Sequence, residues 1–549
     1  MAEEINLAEI YEKALASDFI VIDCETSGLD WLHDDLWLVG IGSIGWNYVI
    51  DEFPPIFWEM LTDLFKTKKI VGHNLKFDLH VLRKAGLSTE VIEASNSEDT
   101  MIQSELLDEN GKHDLQSLVM QYYKRQREEK PIKKMDREEL MLHCLEDIGD
   151  TAILYNDLSK EIEELGLHDA YYVEKKLLLL LYDIEERGVL LDYKYLEEYN
   201  LLLAKDLVEI QAQFPEGMNL ISPKQAGEYL YDSLGLTPLV LTKKGGRSTS
   251  KEAFKALGSE KADLIELYRT LAHTKSTFVE PYLEKMDNNF RLHCSYRQLG
   301  ARTGRLSCAD PNLQQVLKDE KVRKIFIGLK NFVCCDYSQM EAIYYGHVTG
   351  DPELARIFSH GDDVYSSAAS IIFSIPIERV KDPCPLADNG QSYRDFAKGI
   401  FLGLMYGMGE KTFKEMTGEE MYSLITSKFP ILRRFQADTI KEVQLTGYIR
   451  TKLDRFRRLM HHDAYKAVNA QVQGSCRDIL VLSMITLPRN IQKRLVLNVH
   501  DELDFEDLED NEIGIVAECM KDFGLRVPLR VKIGMGHDWW EASKNAKIY

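Results

Sequence analysis

The stretch Leu495–Phe505, LVLNVHDELDF, constrains the chain more than any other. Two apolar runs, LVLNV and LDF, enclose the polar triplet His500-Asp501-Glu502, the pattern of a β-hairpin with its turn at the triplet. Two adjacent carboxylates at such a tip repel each other and are costly to hold against low-dielectric protein. A divalent cation removes that cost. An ordinary solvated acidic turn is the competing explanation, and for the triplet alone the two stand level. A second acidic strand end, Phe332-Val333-Cys334-Cys335-Asp336-Tyr337, tips the balance, because an apolar strand again delivers a carboxylate at its end. Two hard-oxygen ligands on neighbouring strands form a site for two Mg²⁺ ions about 3.5–4 Å apart, as in-line phosphoryl transfer requires.

A phosphate-bearing substrate sits awkwardly with a formal net charge of −22. Overall charge is only a prior, since local basic stripes decide contact with phosphates. Three such stripes stand out: Lys243-Lys244-Gly-Gly-Arg247, Lys318–Lys324 and Arg450–Arg458. Each taken alone is more often a solvated face. The length of 549 residues predicts three to four domains of about 150 residues each. With 45% hydrophobic and 28% charged residues the chain reads as soluble and globular. The start, MAEEINLAEIYEKAL, is acidic and carries no apolar signal region, and the apolar run at Leu177–Leu181 is too short to cross a bilayer. Nine scattered cysteines without a CxxC pair point to a reducing cytoplasm, not to disulfides or zinc.

Phe19-Ile20-Val21-Ile22-Asp23-Cys24-Glu25 is an apolar strand ending in carboxylates two residues apart, and period two puts Asp23 and Glu25 on one side. Val71–Leu79 reads as a turn into a helix with Asn74 and Asp78 one turn apart. A further helix sets His143 four residues before Asp147. Any of these acids alone is a surface acid by default; the ordered set DxE, N-x-x-F-D and a late helical Asp is far more specific.

The set resembles the DEDD-type 3′–5′ exonucleases, in which two metals held by four carboxylates activate water against a terminal phosphodiester. The resemblance implies Asp23, Glu25, Asp78 and Asp147 as ligands. His143 stands where polymerase-attached exonucleases usually carry Tyr; in the His subclass the histidine comes one residue earlier, at the position of Leu142 here. His143 is the candidate for orienting or deprotonating the water, against a helical histidine with no chemical role.

Residues 121–137 are strongly charged and read as solvent-facing. A new unit begins near Gly166, and from Tyr193 to Asp287 the pattern is helical around a basic loop at Thr242–Lys251, with Ser222 capping a helix that has Pro223 at its first position. Then come Arg302-Thr-Gly-Arg305-Leu-Ser307 with Asp310-Pro-Asn312-Leu-Gln314, Asp336-Tyr337-Ser-Gln339-Met-Glu341, Arg394-x3-Lys398-x7-Tyr406-Gly407, and Val499-His500-Asp501-Glu502. These are similar to the motifs of family A DNA polymerases, the DNA polymerase I family, in the family's order. With the exonuclease set the resemblance covers residues 15 to 545.

The resemblance implies an α/β exonuclease domain at 1–165, with a ribonuclease H-like sheet, and a right-hand polymerase domain at 166–549. Within the latter it implies a thumb near 193–287, fingers near 352–465 and a palm at 288–351 and 466–549. Asp336, Asp501 and Glu502 are the implied polymerase carboxylates, with the Tyr337 carbonyl as a metal ligand. Residues 391–409 lack proline and read as one helix with Arg394 and Lys398 on one face, two cations able to grip a triphosphate. Lys398 is placed to protonate or neutralise the leaving pyrophosphate, and Gly399, Gly403 and Gly407 are read as a smooth helical stripe. Gln339, Glu341, Leu402 and Tyr406 complete the implied nucleotide site, with Glu341 crowding the sugar 2′ position. Arg305, Asn312, Gln314, Asn469, Gln473 and His500 are the implied DNA contacts, and Lys275, a cation among the hydroxyls of His273-Thr-Lys-Ser-Thr277, suits a phosphate contact. Donors there can read minor-groove acceptors common to every base pair.

Three positions depart from the family pattern: Tyr365 for His, Ile343 for Arg, and Leu402 for Phe or Tyr. The expectation is a DNA polymerase with a proofreading exonuclease, two Mg²⁺ in each site with Mn²⁺ able to substitute, primer-template DNA and dNTPs as partners, no membrane, and a cytoplasmic monomer. No 5′-nuclease domain is expected before the exonuclease, and the short thumb points to a bacteriophage-like replicon. An exonuclease whose hand only binds duplex, and a non-catalytic DNA-binding scaffold, are the alternatives from other classes.

Overall fold

The computed structural model describes residues 6–126, 130–359, 363–387, 390–408, 410–417, 423, 427 and 429–549. The first sheet is built from β1 (Phe19–Thr26), β2 (Leu36–Ser43), β3 (Trp46–Ile50), β4 (Lys69–Gly72) and β5 (Asn96–Asp99), in the order β3-β2-β1-β4-β5. β2 and β3 are antiparallel and joined tightly, whereas β4 and β5 run parallel to β1 and need helical crossovers, Pro55–Thr67 and Leu75–Ala85. β1 is buried on both faces, so its alternate residues enter two cores. Ile20, Ile22 and Cys24 pack with Leu79 and Leu82 of the helix Leu75–Ala85. Phe19 and Val21 pack with Cys144 and Ile148 of the helix Arg137–Glu164. The same alternation directs Asp23 and Glu25 toward that long helix, as the DxE spacing predicts.

The helix His168–Arg187 sends Leu177, Leu181 and Ile184 into the larger core and Leu178 and Tyr182 into the core of the first sheet. The expected boundary at residue 165 therefore falls in the turn before a helix that both units share. The short ribbons β6 (Val189–Leu190) with β7 (Arg291–Leu292), and β8 (Ser295–Arg297) with β9 (Ser307–Ala309), lead into the second sheet. In that sheet β10 (Ile327–Tyr337) lies central, and β11 (Tyr448–Arg450) with β12 (Phe456–Arg458) forms a separate ribbon. β13 (Leu495–Val499), β14 (Glu502–Glu506), β15 (Val531–Asp538) and β16 (Lys547–Ile548) complete it in the order β13-β14-β10-β15-β16, every pair antiparallel.

The structure corrects several expectations. The helix expected over 391–409 spans Tyr393–Met405, and Gly407 follows it at φ +86°, so it caps the helix instead of extending a stripe. Residue 409 lies outside the described residues. The stripe Arg450–Arg458 is not an open phosphate track: Arg455 is buried on Asp478, while Arg457 and Arg458 reach Glu109 of the exonuclease unit. Lys275, expected at a phosphate, lies in a short π-helical turn, Lys275–Val279, and its ammonium pairs with Glu280, a carboxylate that a phosphate would have to replace. The loop cation Arg247 pairs with Asp232. All nine cysteines are free, and among the described residues no helix is long and apolar enough to cross a membrane.

Candidate active sites

The hairpin forms at the predicted place, with Val499 opposite Glu502 and the turn at His500 and Asp501. His500 takes φ +59°, and the Tyr337 N–H donates to the Asp501 carbonyl at 3.2 Å, clamping the tip to the end of β10. Asp336 lies directly across from Glu502. Burial, then the charges of Glu502 and Asp501, push the Asp336 carboxyl up to about 7. Burial also raises Asp501, with the Arg305 guanidinium pulling against it. Glu502 accepts from the Trp539 indole at 2.7 Å. Several carboxylates held together at high electrostatic cost are a donor set that fits hard divalent cations.

Around this point the structure assembles the residues expected at a nucleotide. Glu341 accepts from Arg305 at 2.7 Å and from the Tyr406 hydroxyl, so one carboxylate is fixed by two partners. Arg394 and Lys398 lie over the Tyr365 ring, 5.7 and 5.3 Å from its centroid. Tyr365, the departure from the expected histidine, thus lies beneath both cations. Arg394 donates to Asp363 at 2.6 and 3.2 Å, and Gln339 binds the same carboxylate. Burial pushes the Asp363 carboxyl up, but Arg394 and Ser366 outweigh it and hold the group below the carboxylate range. Asp363 was not singled out from the sequence; its signal was the acid two residues before the unusual Tyr365. Leu402 is half-buried against the large core, and Ile343 is buried in it.

Arg305, Gln314, His500 and Asp501 line one small cleft with Asn498. Gln314 is buried and donates to Asn498 at 3.4 Å, so it supports the hairpin from beneath. Asn312 is exposed and caps the turn Leu313–Gln315. Asn469 and Gln473 lie one turn apart and half-exposed on the helix Ala467–Thr486.

In the exonuclease unit the three elements converge. Asp78 is 3% exposed, and its carboxylate accepts from the Cys24 N–H at 2.8 Å. Glu25, His143 and Asp147 place ligand atoms within 4.8 Å of one another, as do Asp23, Glu25 and Cys144. Burial, then Asp23 and Asp147, raise Glu25 to about 8; burial, then Asp23, raise Asp78 well above the ordinary range. The set again fits divalent cations. His143 lies 3.5 Å from Asp147 through Nε2, the reach of a positioning or water-orienting group.

Two participants escaped the sequence reading. Asp99 accepts from the backbone N–H groups of Asn74, Leu75, Met101 and Ile102, fixing the Asn74 turn (φ +63°) that starts the helix bearing Asp78. Cys144 directs its thiol at Asp23 at 3.7 Å; standing next to His143 was its only signal. His143→Ala is expected to slow 3′-end digestion at least about ten-fold, leaving extension unchanged. Digestion and extension assays on the purified variant measure both.

A cleft of about 440 Å³ lies between the exonuclease unit and the β8 ribbon, lined by Trp31, Phe77, Asp99, His113 and Arg297. It shares His113 and Arg297 with a recess of about 220 Å³ that reaches Arg302 and Gly304.

Residues 193–541 match the family model described as DNA polymerase family A, and residues 1–163 match that of a 3′-5′ exonuclease. The chain is 29% identical to DNA polymerase I of Borreliella burgdorferi, over 98% of this chain and 64% of that protein. It is 30% identical to DNA polymerase I of Pseudomonas aeruginosa (88% and 57%) and 32% identical to the thermostable DNA polymerase I of Thermus aquaticus (68% and 48%). The chain thus spans about half to two-thirds of the length of these relatives. All three are bacterial, which gives the expected bacteriophage origin no support. Among solved structures it resembles the POL domain of Pol1 from M. smegmatis, in complex with DNA primer-template and dNTP, at a TM-score of 0.82 and 25% identity over 98% of both chains.

Proposed function

The chain belongs to DNA polymerase family A, and on that premise we propose that it extends a DNA primer under template direction and removes errors with its own 3′–5′ exonuclease. The observation that carries this reading is the coexistence of two separate carboxylate sets. Asp336, Asp501 and Glu502 gather at the junction of β10 and the hairpin, whereas Asp23, Glu25, Asp78 and Asp147 gather in the exonuclease unit. In each set two divalent cations, Mg²⁺ or Mn²⁺, would neutralise the attacking and departing oxygens of phosphoryl transfer.

The protein's own groups supply selection and orientation. Arg394 and Lys398 face the incoming triphosphate from one helix face. Arg394 must exchange the Asp363 carboxylate for phosphate oxygens, so the nucleotide displaces an internal anion. Lys398 is exposed and placed to deliver a proton or charge to the leaving pyrophosphate. Glu341, pinned by Tyr406 and Arg305, forms a fixed wall at the sugar. Asn469, Gln473 and Arg305 present donors to minor-groove acceptors that all correct pairs share. Primer-template DNA and dNTPs are thus the partners of this reading, and the domain bounds proposed are 1–165 and 166–549.

A primer-extension gel with Mg²⁺, run with and without dNTPs, tests it. Ladder growth with dNTPs and shortening without them support both activities. Shortening alone would leave an exonuclease with a DNA-gripping hand, and a bare mobility shift a scaffold.

The apolar Leu402 predicts a further selectivity. The resemblance implies that this helix position senses the sugar 3′ region, and a leucine offers no hydroxyl to replace a missing 3′-OH. Leu402→Tyr is expected to raise acceptance of dideoxynucleotides at least ten-fold, about 1.4 kcal/mol. The measurement is kcat/KM for dNTP over ddNTP in an Asp78→Ala background; an unchanged ratio would show that Leu402 does not face the sugar.

A further inference from the structure

One cross-strand pair deeper than the polymerase carboxylates lies a second cluster, which shares Glu502 with them and adds Cys334 and Asp504, two groups that the proposed reaction does not use. Asp336 faces Glu502 across β10 and β14, and Cys334 faces Asp504. Period two puts all four on one face of the sheet. The C-terminal helix Trp539–Lys544 covers that face. It sits close because Gly534, beside Cys334 on β15, has no side chain: a Cβ there would stand 2.0 Å from the Ala542 carbonyl oxygen.

Under this lid Cys334 is 3% exposed and Asp504 is 0% exposed. Neither oxygen of Asp504 has a hydrogen-bond partner. An unpaired buried carboxylate is among the costliest things a fold can hold. Its surroundings show what would satisfy it. The Cys334 sulfur and carboxylate oxygens of Glu502 and Asp504 lie within 4.8 Å of one another. The Ser543 hydroxyl is 3.8 Å from that sulfur. Arg323 is 5% exposed, stacked 4.2 Å over the Trp539 ring, and keeps its Nε unpartnered beside the cluster.

The geometry points to a binding site for a thiophilic divalent cation, zinc by preference, held by Cys334, Glu502 and Asp504 with Ser543 or a water in the fourth position. A sulfur with two carboxylate oxygens matches the ligand types of four-coordinate zinc and disfavours magnesium, which takes six oxygens. The charges also balance. One thiolate and two carboxylates carry three negative charges, which a divalent ion and the Arg323 guanidinium neutralise. Binding expels the thiol proton to solvent, and no oxidant or reductant is needed. Glu502, the half-exposed member, gives the ion its way in from the hairpin side. This inference does not depend on the polymerase reading, since it uses the sheet and not the substrate.

The test uses the full chain, stripped of metal, in a Cys144→Ala background so that the exonuclease thiol cannot contribute. Titration with Co²⁺ should raise a sulfur-to-cobalt charge-transfer band in the near ultraviolet, which added Zn²⁺ removes. Zn²⁺ should also raise the melting temperature. Cys334→Ala should abolish the band, and Asp504→Asn should weaken zinc binding at least about ten-fold and remove the gain in melting temperature. The absence of any thiolate band in the Cys144→Ala protein would overturn the site, and so would a band that survives Cys334→Ala. Should the Cys334 variant not fold, the Asp504→Asn comparison decides alone. If Glu502 and Asp504 merely share a proton, Zn²⁺ changes neither spectrum nor melting, and the proposal falls.

Discussion

Asp501→Ala abolishes primer extension and leaves 3′-end digestion at its native rate, whereas Asp78→Ala does the reverse. Both effects should reach at least about a thousand-fold, roughly 4 kcal/mol of transition-state stabilisation. Asp501 closes the hairpin tip against β10, and Asp78 closes the exonuclease carboxylates against β1 through the Cys24 N–H. No residue is common to the two ligand sets, so neither change can reach the other chemistry except through the fold. Extension and digestion of one labelled primer-template, measured on both variants with their melting curves, check this. Loss of both activities in one well-folded variant would refute two independent sites.

Stability should fall as pH rises when divalent ions are removed, and Mg²⁺ should restore it most at the alkaline end. The folded protein raises Glu25 from 4.5 to about 8 and Asp336 from 3.8 to about 7. A carboxyl whose folded value is raised favours folding fully below its unfolded value, and that contribution is lost as pH climbs through the folded value. The loss therefore falls between about pH 4 and pH 8 and amounts to roughly 4 kcal/mol per group. Cations bound between the carboxylates remove the repulsion, so Mg²⁺ raises the melting temperature more at pH 8 than at pH 6. Thermal melts in chelator and in Mg²⁺ across this range measure it. Within each variant, Glu25→Gln and Asp336→Asn should each flatten part of the slope. A chelated protein whose stability is level across the window would show that these groups are not held as described.

Much of the geometry of the candidate sites was legible in the sequence because it is written in local periodicities. Period two put Asp23 and Glu25 on one face, and an apolar strand ending in Asp336 was recognisable without its neighbours. The hairpin around His500-Asp501-Glu502, the helical spacing of Arg394 and Lys398, and the Ser222-Pro223 helix start are likewise properties of adjacent residues. Only the tertiary structure decided which charges are spoken for. Arg458 and Glu109 meet across 349 residues of chain, turning a basic stripe into a joint between two units. Asp363 takes Arg394, Glu280 takes Lys275, and Cys144 enters the exonuclease carboxylates from a helix whose local pattern favours His143. The same holds for the helix His168–Arg187, which serves two cores, and for Asp504, whose alternating strand pattern does not say that a glycine-seated helix seals it beside Cys334. Alternation and helical spacing fix the direction of a side chain relative to its own element. What that side chain meets depends on how distant elements pack, and packing follows the burial of the whole apolar surface at once.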